Sequence, residues 1–362
     1  MEITKIVMTG GPCAGKSTAM SWVQETFTKK GYVVLFVPET ATELISSGVA
    51  PWTCGTNFDY QFCQARLQLA KEQVFEQAAQ SMTQTQKVLV VCDRGLLDNK
   101  AYMTQEEFET VLEALHTNEV VARDSYDAVF HLVSAAKGAE EFYTTANNNA
   151  RTETIAEAAE LDNKLIAAWT GHPHLRIIDN EGSFEDKMKH LIAEISAFLG
   201  EPQPYQIERK YLIEYPDISL LEMLPNCQRV EIIQTYLTSE NGDEIRIRQR
   251  GINGNYVYTQ TTKTMVNGIK RIEVERRLTQ NEYLRLLMNS DISKRQIRKT
   301  RYCLASGNQY YKIDIFPFWD NQAILEVELP SETTPVQIPP NITVIREVTY
   351  DPAYKNAALA TR

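Results

Sequence analysis

The run Gly10-Gly11-Pro12-Cys13-Ala14-Gly15-Lys16-Ser17, followed by Thr18, comes directly after a short apolar stretch. Glycines at these spacings let a backbone wrap phosphate oxygens, and a helix starting at Lys16 offers its free N–H groups to the same anion. Lys16 is placed to reach the β- and γ-phosphates, and Ser17 to set its hydroxyl on Mg²⁺ or Mn²⁺ with Thr18 beside it. The chemistry this predicts is binding of a nucleoside triphosphate, ATP or GTP, with hydrolysis or γ-phosphoryl transfer. Val88-Leu89-Val90-Val91-Cys92-Asp93 reads as a buried strand ending in a carboxylate, the place for a second magnesium ligand. A strand-end Asp also caps turns, so Asp93 has a purely local alternative. Arg94, Gly95 and Asp98 extend that strand end, and Glu39 and Arg66, the latter on the helix containing Gln61 and Gln64, are candidates to hold a phosphoryl acceptor or are ordinary surface or capping residues. Arg151 lies in the polar segment between Asn147 and Asp162, where a lid over phosphates or a solvated loop would both place it.

The second half carries a different pattern. Side chains two apart on a strand share a face. Glu208 and Lys210, then Arg246, Arg248 and Arg250, then Arg271, Glu273 and Glu275, and late in the chain Glu326 and Glu328 each occupy such positions. Lys263, Lys299, Arg301 and Asp314 join them, while Ile245, Ile247, Ile272, Val274, Ile313, Ile315 and Val327 fill the alternate places. A half-buried sheet with one wet face gives the same alternation. Here the face is nearly all Arg, Lys and Glu, which predicts a sheet curled inward around bases for a polyphosphate and acids for a divalent metal.

These residues need two scaffolds. Lys5–Thr9, Val33–Val37, Val88–Cys92, Ala128–Val133 and Arg176–Ile178 are short β-branched runs separated by amphipathic stretches, which predicts a parallel α/β sheet. Glu185–Leu199 has helical spacing and is stopped by Gly200-Glu201-Pro202-Gln203-Pro204. The division expected is therefore a first domain over 1–200, a linker at 201–204 and a second domain over 205–362. In the latter, Glu208–Glu214, Arg229–Thr238, Glu244–Arg250, Tyr256–Lys263, Lys270–Arg276, Tyr310–Phe316 and Ala323–Leu329 alternate as antiparallel strands, with Thr279–Asn289 helical. Residues 1–200 hold 16 Lys+Arg against 27 Asp+Glu, whereas 201–362 hold 21 against 20. An acidic first half argues against nucleic-acid binding. Cys13, Cys54, Cys63, Cys92, Cys227 and Cys303 form no C-x-x-C pair, which predicts reduced thiols in a cytoplasmic protein. Met1–Thr9 reads as already forming strand and P-loop, so no signal peptide is expected. No apolar run reaches the ~18 residues of a membrane span, so any membrane contact would be peripheral.

The first half resembles the small kinase-like P-loop ATPases grouped with the AAA-type families. The shared residues are Thr9-Gly10-Gly11-Pro12-x-x-Gly15-Lys16-Ser17, Pro38-Glu39-x-Ala41, Asp93-Arg94-Gly95 and a lid arginine matched by Arg151, over a span from Ile3 to Leu199. Asn163-Lys164-Leu165-Ile166 lacks the final Asp of a guanine-reading N-K-x-D motif, so base preference stays open. From Tyr205 to Leu329 the chain resembles the CYTH, or triphosphate tunnel, family, an eight-stranded antiparallel barrel that binds triphosphates and often hydrolyses them with Mg²⁺ or Mn²⁺. Its opening E-x-E-x-K appears here as Gln206, Glu208 and Lys210. Arg246 and Arg248, Lys263, Glu273 and Glu275, and Lys299 with Arg301 match its later elements. The resemblance implies that Lys210, Arg246, Arg248, Lys263, Lys299 and Arg301 grip phosphate, with Lys210 catalytic, and that Glu208, Glu326 and Glu328 hold the metal. Gln206 in place of a carboxylate weakens the case for hydrolysis. The pairing of the two halves also resembles a GTP- and phosphatidylinositol-phosphate-binding build, which offers a regulatory module as the alternative to an enzyme.

Overall fold

The computed structural model describes residues 3–82, 87–143, 154–201, 207–239, 242–267, 270–329 and 333–361. Arg151, Gln206 and the side chain of Glu273 lie outside the described residues. The chain divides into two compact units. One is Met1–Ile207 with Ala305–Tyr310 and Leu329–Thr334, and the other is Glu208–Leu304, Tyr311–Glu328 and Pro335–Arg362.

The first unit runs β1 (Ile3–Gly10), α1 (Lys16–Lys29), β2 (Tyr32–Val37), α2 (Thr40–Ser46), α3 (Asn57–Met82), β3 (Lys87–Asp93), α4 (Gln105–Ala114), α5 (Glu119–Arg123), β4 (Ala128–Leu132), α6 (Ile155–Trp169), β5 (Leu175–Ile178) and α7 (Phe184–Phe198). Its five strands lie in the order β2-β3-β1-β4-β5, and every registered pair is parallel, as the alternating strand and helix runs predict. Val88 to Cys92 are fully buried, which is why β3 reads as an uninterrupted apolar run. On one face Ala19, Val23 and Phe27 of α1 pack with Met188, Leu191 and Ile195 of α7 over Ile6, Met8, Leu89 and Val91. Thr104, Thr154 and Ser183 accept the free N–H groups at the starts of α4, α6 and α7. Gly15 provides no such cap for α1, so that N-terminus keeps its donors for a ligand.

The second unit continues with β6 (Ile207–Glu214), α8 (Ile218–Met223), β7 (Cys227–Leu237), β8 (Glu244–Ile252), β9 (Asn255–Asn267), β10 (Lys270–Leu278), α9 (Gln280–Leu286), β11 (Ile297–Ser306), β12 (Gln309–Ile315), β13 (Gln322–Leu329), β14 (Val344–Glu347) and α10 (Asn356–Leu359). The sheet is antiparallel, and it corrects the expectation of a closed eight-stranded barrel. Nine strands lie in the order β10-β9-β8-β7-β11-β12-β13-β6-β14, so β10 and β14 are its edges. The cause is local: β14 pairs with β6 on the side away from β13, occupying the edge that β10 would need for closure. β11, which carries Lys299 and Arg301, and β14 are strands that the alternation pattern did not separate. On the apolar face Leu237, Ile247 and Leu278 pack under Tyr283 of α9, as the helical reading of Thr279–Asn289 predicts.

Candidate functional site

The phosphate-binding loop starts where β1 ends. Cys13 has φ 57° and Gly15 φ 90°, and left-handed residues within a turn aim successive N–H groups inward to form an anion-binding concavity. The loop is held from beneath by Asp162 of α6. Its Oδ1 accepts from the Gly11 N–H at 3.0 Å and the Ser134 N–H at 3.0 Å, and it lies 3.0 Å from His131 Nε2. Its Oδ2 takes Lys137 Nζ at 3.1 Å. Burial favours the neutral carboxyl, yet His131, Lys137 and the Ser134 N–H outweigh it and hold Asp162 well below the usual carboxylate range. Gly11 has to be glycine, since a Cβ there would stand 2.7 Å from Asp162 Oδ1.

β3 neighbours β1 with Asp93 opposite Met8, which brings Asp93 to the loop. Asp93 Oδ1 is buried with no hydrogen-bond partner among the described residues, and burial pushes its carboxyl up against the pull of Lys16. Lys16 is pushed down by burial and then by the charge of Arg94. Arg94 itself sits at φ 70°, a strained conformation for a residue with a side chain, and is fixed by three contacts. Its N–H donates to Met8 O at 3.0 Å, its Nε to Glu39 Oε1 at 2.7 Å and its Nη1 to Asp98 Oδ1 at 3.3 Å. Asp98 is pinned in turn by Thr9 Oγ1, by the Gly95 N–H at 2.8 Å and by Trp169 Nε1 at 3.2 Å. Glu39, opposed by burial but beside Arg94 and Lys16, is held down to about 2. Two cations crowded at the loop are what a polyphosphate would relieve. An orphaned carboxylate oxygen next to them, with Ser17 exposed on the first turn of α1, fits a hard divalent cation.

The first half thus gathers Gly10 to Ser17, Asp93, Glu39 and Arg94 at one edge of the sheet, whereas Arg66 is exposed and lies over the Phe62 ring 5.8 Å away. Sequence reasoning missed Asp162 and Lys137. The available signal was an acid on the apolar stripe of Ala158, Leu165, Ile166 and Trp169, where a charge is costly unless it is paired.

In the second unit the strand registers put Arg246, Arg248 and Arg250 on the face that carries Tyr236, Gln234 and Ile232 of β7. The same face carries Lys299 and Arg301 of β11, because they stand opposite Ile232 and Val230. Thr261 faces Arg246 and Glu275, which places Lys263, two residues on, beside them. Lys210 Nζ reaches Glu326 Oε1 at 2.7 Å and Glu208 Oε1 at 3.2 Å. Arg301 joins Asp314 at 2.6 Å and Glu326 Oε2 at 2.9 Å, Lys299 joins Asp314 at 2.5 Å, and Lys312 pairs with Glu328. The predicted phosphate-gripping residues therefore share one face, with Lys312 and Gln234 added to it. The predicted metal carboxylates Glu208, Glu326 and Glu328 are engaged by lysine and arginine, and no group of three acids arranged to hold a metal occurs among the described residues. Burial raises Glu208, with Glu326 adding to it, and Glu326 is held well below the usual range against burial by Lys210 and Arg301. Arg248 is driven down to about 10 by burial and by Arg246, only partly offset by Glu275 at 3.9 Å.

A family model described as an AAA domain matches residues 5–187. A curated relative, an inorganic triphosphatase of Nitrosomonas europaea, is 33% identical over 160 residues, covering 43% of this chain and 96% of the relative. The chain belongs to the AAA-domain family through residues 5–187 and, over those 160 aligned residues, to the family of that triphosphatase. A crystal structure of an inorganic triphosphatase is similar at 29% identity and TM-score 0.31, covering 44% of this chain and 95% of that one. A deoxyadenosine kinase from M. mycoides with bound dATP is similar at 16% identity and TM-score 0.37, covering 53% and 99%. With residues 5–187 matching the AAA-domain model, the first half is a nucleotide-binding P-loop domain. No helix among the described residues is long and apolar enough to cross a membrane.

Proposed function

We propose that the first unit binds a magnesium nucleoside triphosphate and hydrolyses it or transfers its γ-phosphoryl group, while the antiparallel unit is CYTH-like and binds and hydrolyses a triphosphate or polyphosphate. The observation that carries the first part is the crowding of Lys16 against Arg94 beside the unpartnered Asp93 Oδ1. Gly10, Gly11, Pro12, Cys13, Ala14 and Gly15 would wrap the phosphates, Lys16 would meet the β- and γ-oxygens, and Ser17 and Asp93 would hold the magnesium. The ion supplies neutralisation of phosphate charge. Arg94 stays fixed by Glu39 and Asp98, so its charge is organised before nucleotide arrives.

For the second unit the support is one continuous cationic face, in which Arg248 loses proton affinity to burial and neighbouring arginines, together with the relationship to a triphosphatase. A polyanion would replace arginine–arginine repulsion with charge-assisted hydrogen bonds. A second reading is favoured by the engagement of Glu326 and Glu328 with Lys210, Arg301 and Lys312: a module that binds a phosphorylated ligand, such as a phosphoinositide headgroup, without hydrolysis. Phosphate release from tripolyphosphate, ATP and GTP with Mg²⁺ or Mn²⁺, measured on Lys16→Ala, separates the two. Turnover in that variant that vanishes on adding Glu326→Ala establishes triphosphatase chemistry in the second unit. Tight tripolyphosphate binding with no turnover in either metal establishes the binding module.

A further inference from the structure

The turn between β11 and β12 is part of the first unit, although both strands belong to the antiparallel sheet. Its anchor is Tyr310, a buried residue whose hydroxyl donates to His172 O at 2.9 Å and accepts the Gly171 N–H at 2.9 Å. Both partners lie just past the end of α6. His172 is fixed in turn. Its Nε2 lies 3.0 Å from Tyr126 O, a carbonyl that can only accept, so Nε2 carries the proton and Nδ1 takes the His174 N–H at 3.0 Å. Its ring meets that of Trp169 edge-on, with centroids 6.3 Å apart. Trp169 is the last residue of α6, is fully buried, and donates through Nε1 to Asp98 Oδ2 at 3.2 Å. Gly95 is required beside it, since a Cβ there would stand 2.8 Å from the indole. The other oxygen of Asp98 receives Arg94 Nη1 at 3.3 Å. About two turns before Trp169 on the same helix, Asp162 receives the Gly11 N–H of the phosphate loop. Helix α6 therefore grips the P-loop site at two points, and the residues that follow it hold Tyr310.

The same hairpin carries charges of the second unit. Tyr310, Lys312 and Asp314 stand at alternate positions of β12, about 13 Å from first to last. Asp314 holds Lys299 and Arg301 of β11, and Lys312 pairs with Glu328. From this geometry we infer that the β11–β12 hairpin couples two binding events: nucleotide at the P-loop and a polyanion on the cationic face each strengthen binding of the other, with the Tyr310 hydroxyl as the latch. The inference rests on the two binding activities proposed above. A polyanion at Lys299 and Arg301 draws both cations away from Asp314 and so releases ion pairs that fix β11 to β12. A triphosphate beside Arg94 shares that guanidinium with Asp98, whose other oxygen holds Trp169. Each ligand thus works against contacts that keep one connection, from α6 to the hairpin, in its ligand-free position. That cost arises once, so the second ligand binds without it, and the effect is reciprocal by thermodynamic necessity. A neutral hydroxyl between a carbonyl and an N–H suits the latch, because each such bond contributes modestly and can be exchanged when a charged ligand arrives.

The experiment titrates the full chain by calorimetry with the di-imido analogue of tripolyphosphate, with and without saturating Mg·β,γ-imido-ATP or Mg·β,γ-imido-GTP, and then in the reverse order. The imido bridges resist cleavage, so only binding is read. The step that Arg248→Gln weakens is the second-unit event. At least one nucleotide is expected to tighten that step by about fivefold or more, and the polyanion to tighten nucleotide binding by the same factor. In Tyr310→Phe each ligand alone should bind more tightly than in the wild type, and the coupling factor should fall below about twofold. Trp169→Phe, which takes the indole N–H from Asp98, should lower the factor likewise and decides the matter if Tyr310→Phe does not fold. Lys16→Ala should abolish the effect of nucleotide on the second unit. Absence of nucleotide or of polyanion binding in the wild type would overturn the coupling together with the reading of that unit. Two ligands that both bind but leave each other's affinity unchanged or weaken it, or a factor that persists in Tyr310→Phe, would overturn the coupling while leaving both sites intact.

Discussion

Replacing Asp162 is expected to damage the phosphate loop from beneath, without touching any ligand. The carboxylate is fully buried and, among the described residues, is the acceptor of both the Gly11 and Ser134 N–H groups, each at 3.0 Å. Lys137 loses less, because Asn163 Oδ1 at 2.9 Å remains to it. Each buried N–H left unmatched costs about 1–3 kcal/mol, so Asp162→Ala should destabilise the first unit by roughly 4 kcal/mol. At about 2–4 °C per kcal/mol for a unit of this size, its melting midpoint should fall by about 10 °C. Asp162→Asn keeps one acceptor oxygen and should lose about half as much. Tryptophan fluorescence suits the measurement, since Trp22, Trp52 and Trp169 belong to the first unit and only Trp319 to the second. The pH dependence follows from the depressed carboxyl. Its stabilisation is complete above the unfolded value of about 4 and is lost as pH falls toward the folded one. The gap between wild type and Asp162→Asn should therefore be level from pH 6 to 8 and narrow below about pH 4. An Ala variant that melts within about 2 °C of wild type and binds Mg·ATP normally would refute the assignment of Asp162 as the support of the loop.

Three further outcomes are expected. Lys16→Ala should weaken Mg·ATP or Mg·GTP binding by about 100-fold while leaving tripolyphosphate affinity at the second unit unchanged, both read by calorimetry. Arg248→Gln should weaken tripolyphosphate binding by about tenfold or more, yet its melting midpoint without polyanion should not fall, because one member of a crowded arginine cluster has been neutralised. Lys299 is pushed down to about 8 by burial and by Arg301, with Asp314 opposing. Its folded pKa is thus below the unfolded value of about 10.4, so its charge is lost from pH 8 upward in the native state. Tripolyphosphate affinity should then be level below pH 7 and fall between pH 8 and 9.5, a dependence that Lys299→Met should remove.

What could be read in the sequence depended on whether a residue's task is local. The P-loop was legible because wrapping a phosphate is done by eight consecutive residues, and the five parallel strands because each is a short β-branched run. Strand alternation likewise placed Arg246, Arg248, Lys299 and Arg301 on one face, since a period of two survives any later pairing. Closure of the sheet was not legible: it depends on which edge β14 takes, and that is set by contacts between residues more than 130 apart. The same reason hid Asp162, which reaches Gly11 across 151 residues, and the buried polar stripe of α3 formed by Gln61, Gln64, Gln68 and Glu72. Gln61 and Gln64 are three apart on one helix, and nothing local in the sequence distinguishes them. Only the fold separates them, because Asn99 arrives opposite Gln64 and nothing among the described residues arrives opposite Gln61 Oε1. An unmet hydrogen bond of this kind becomes visible only once the fold has placed its neighbours, so no local pattern in the sequence announces it.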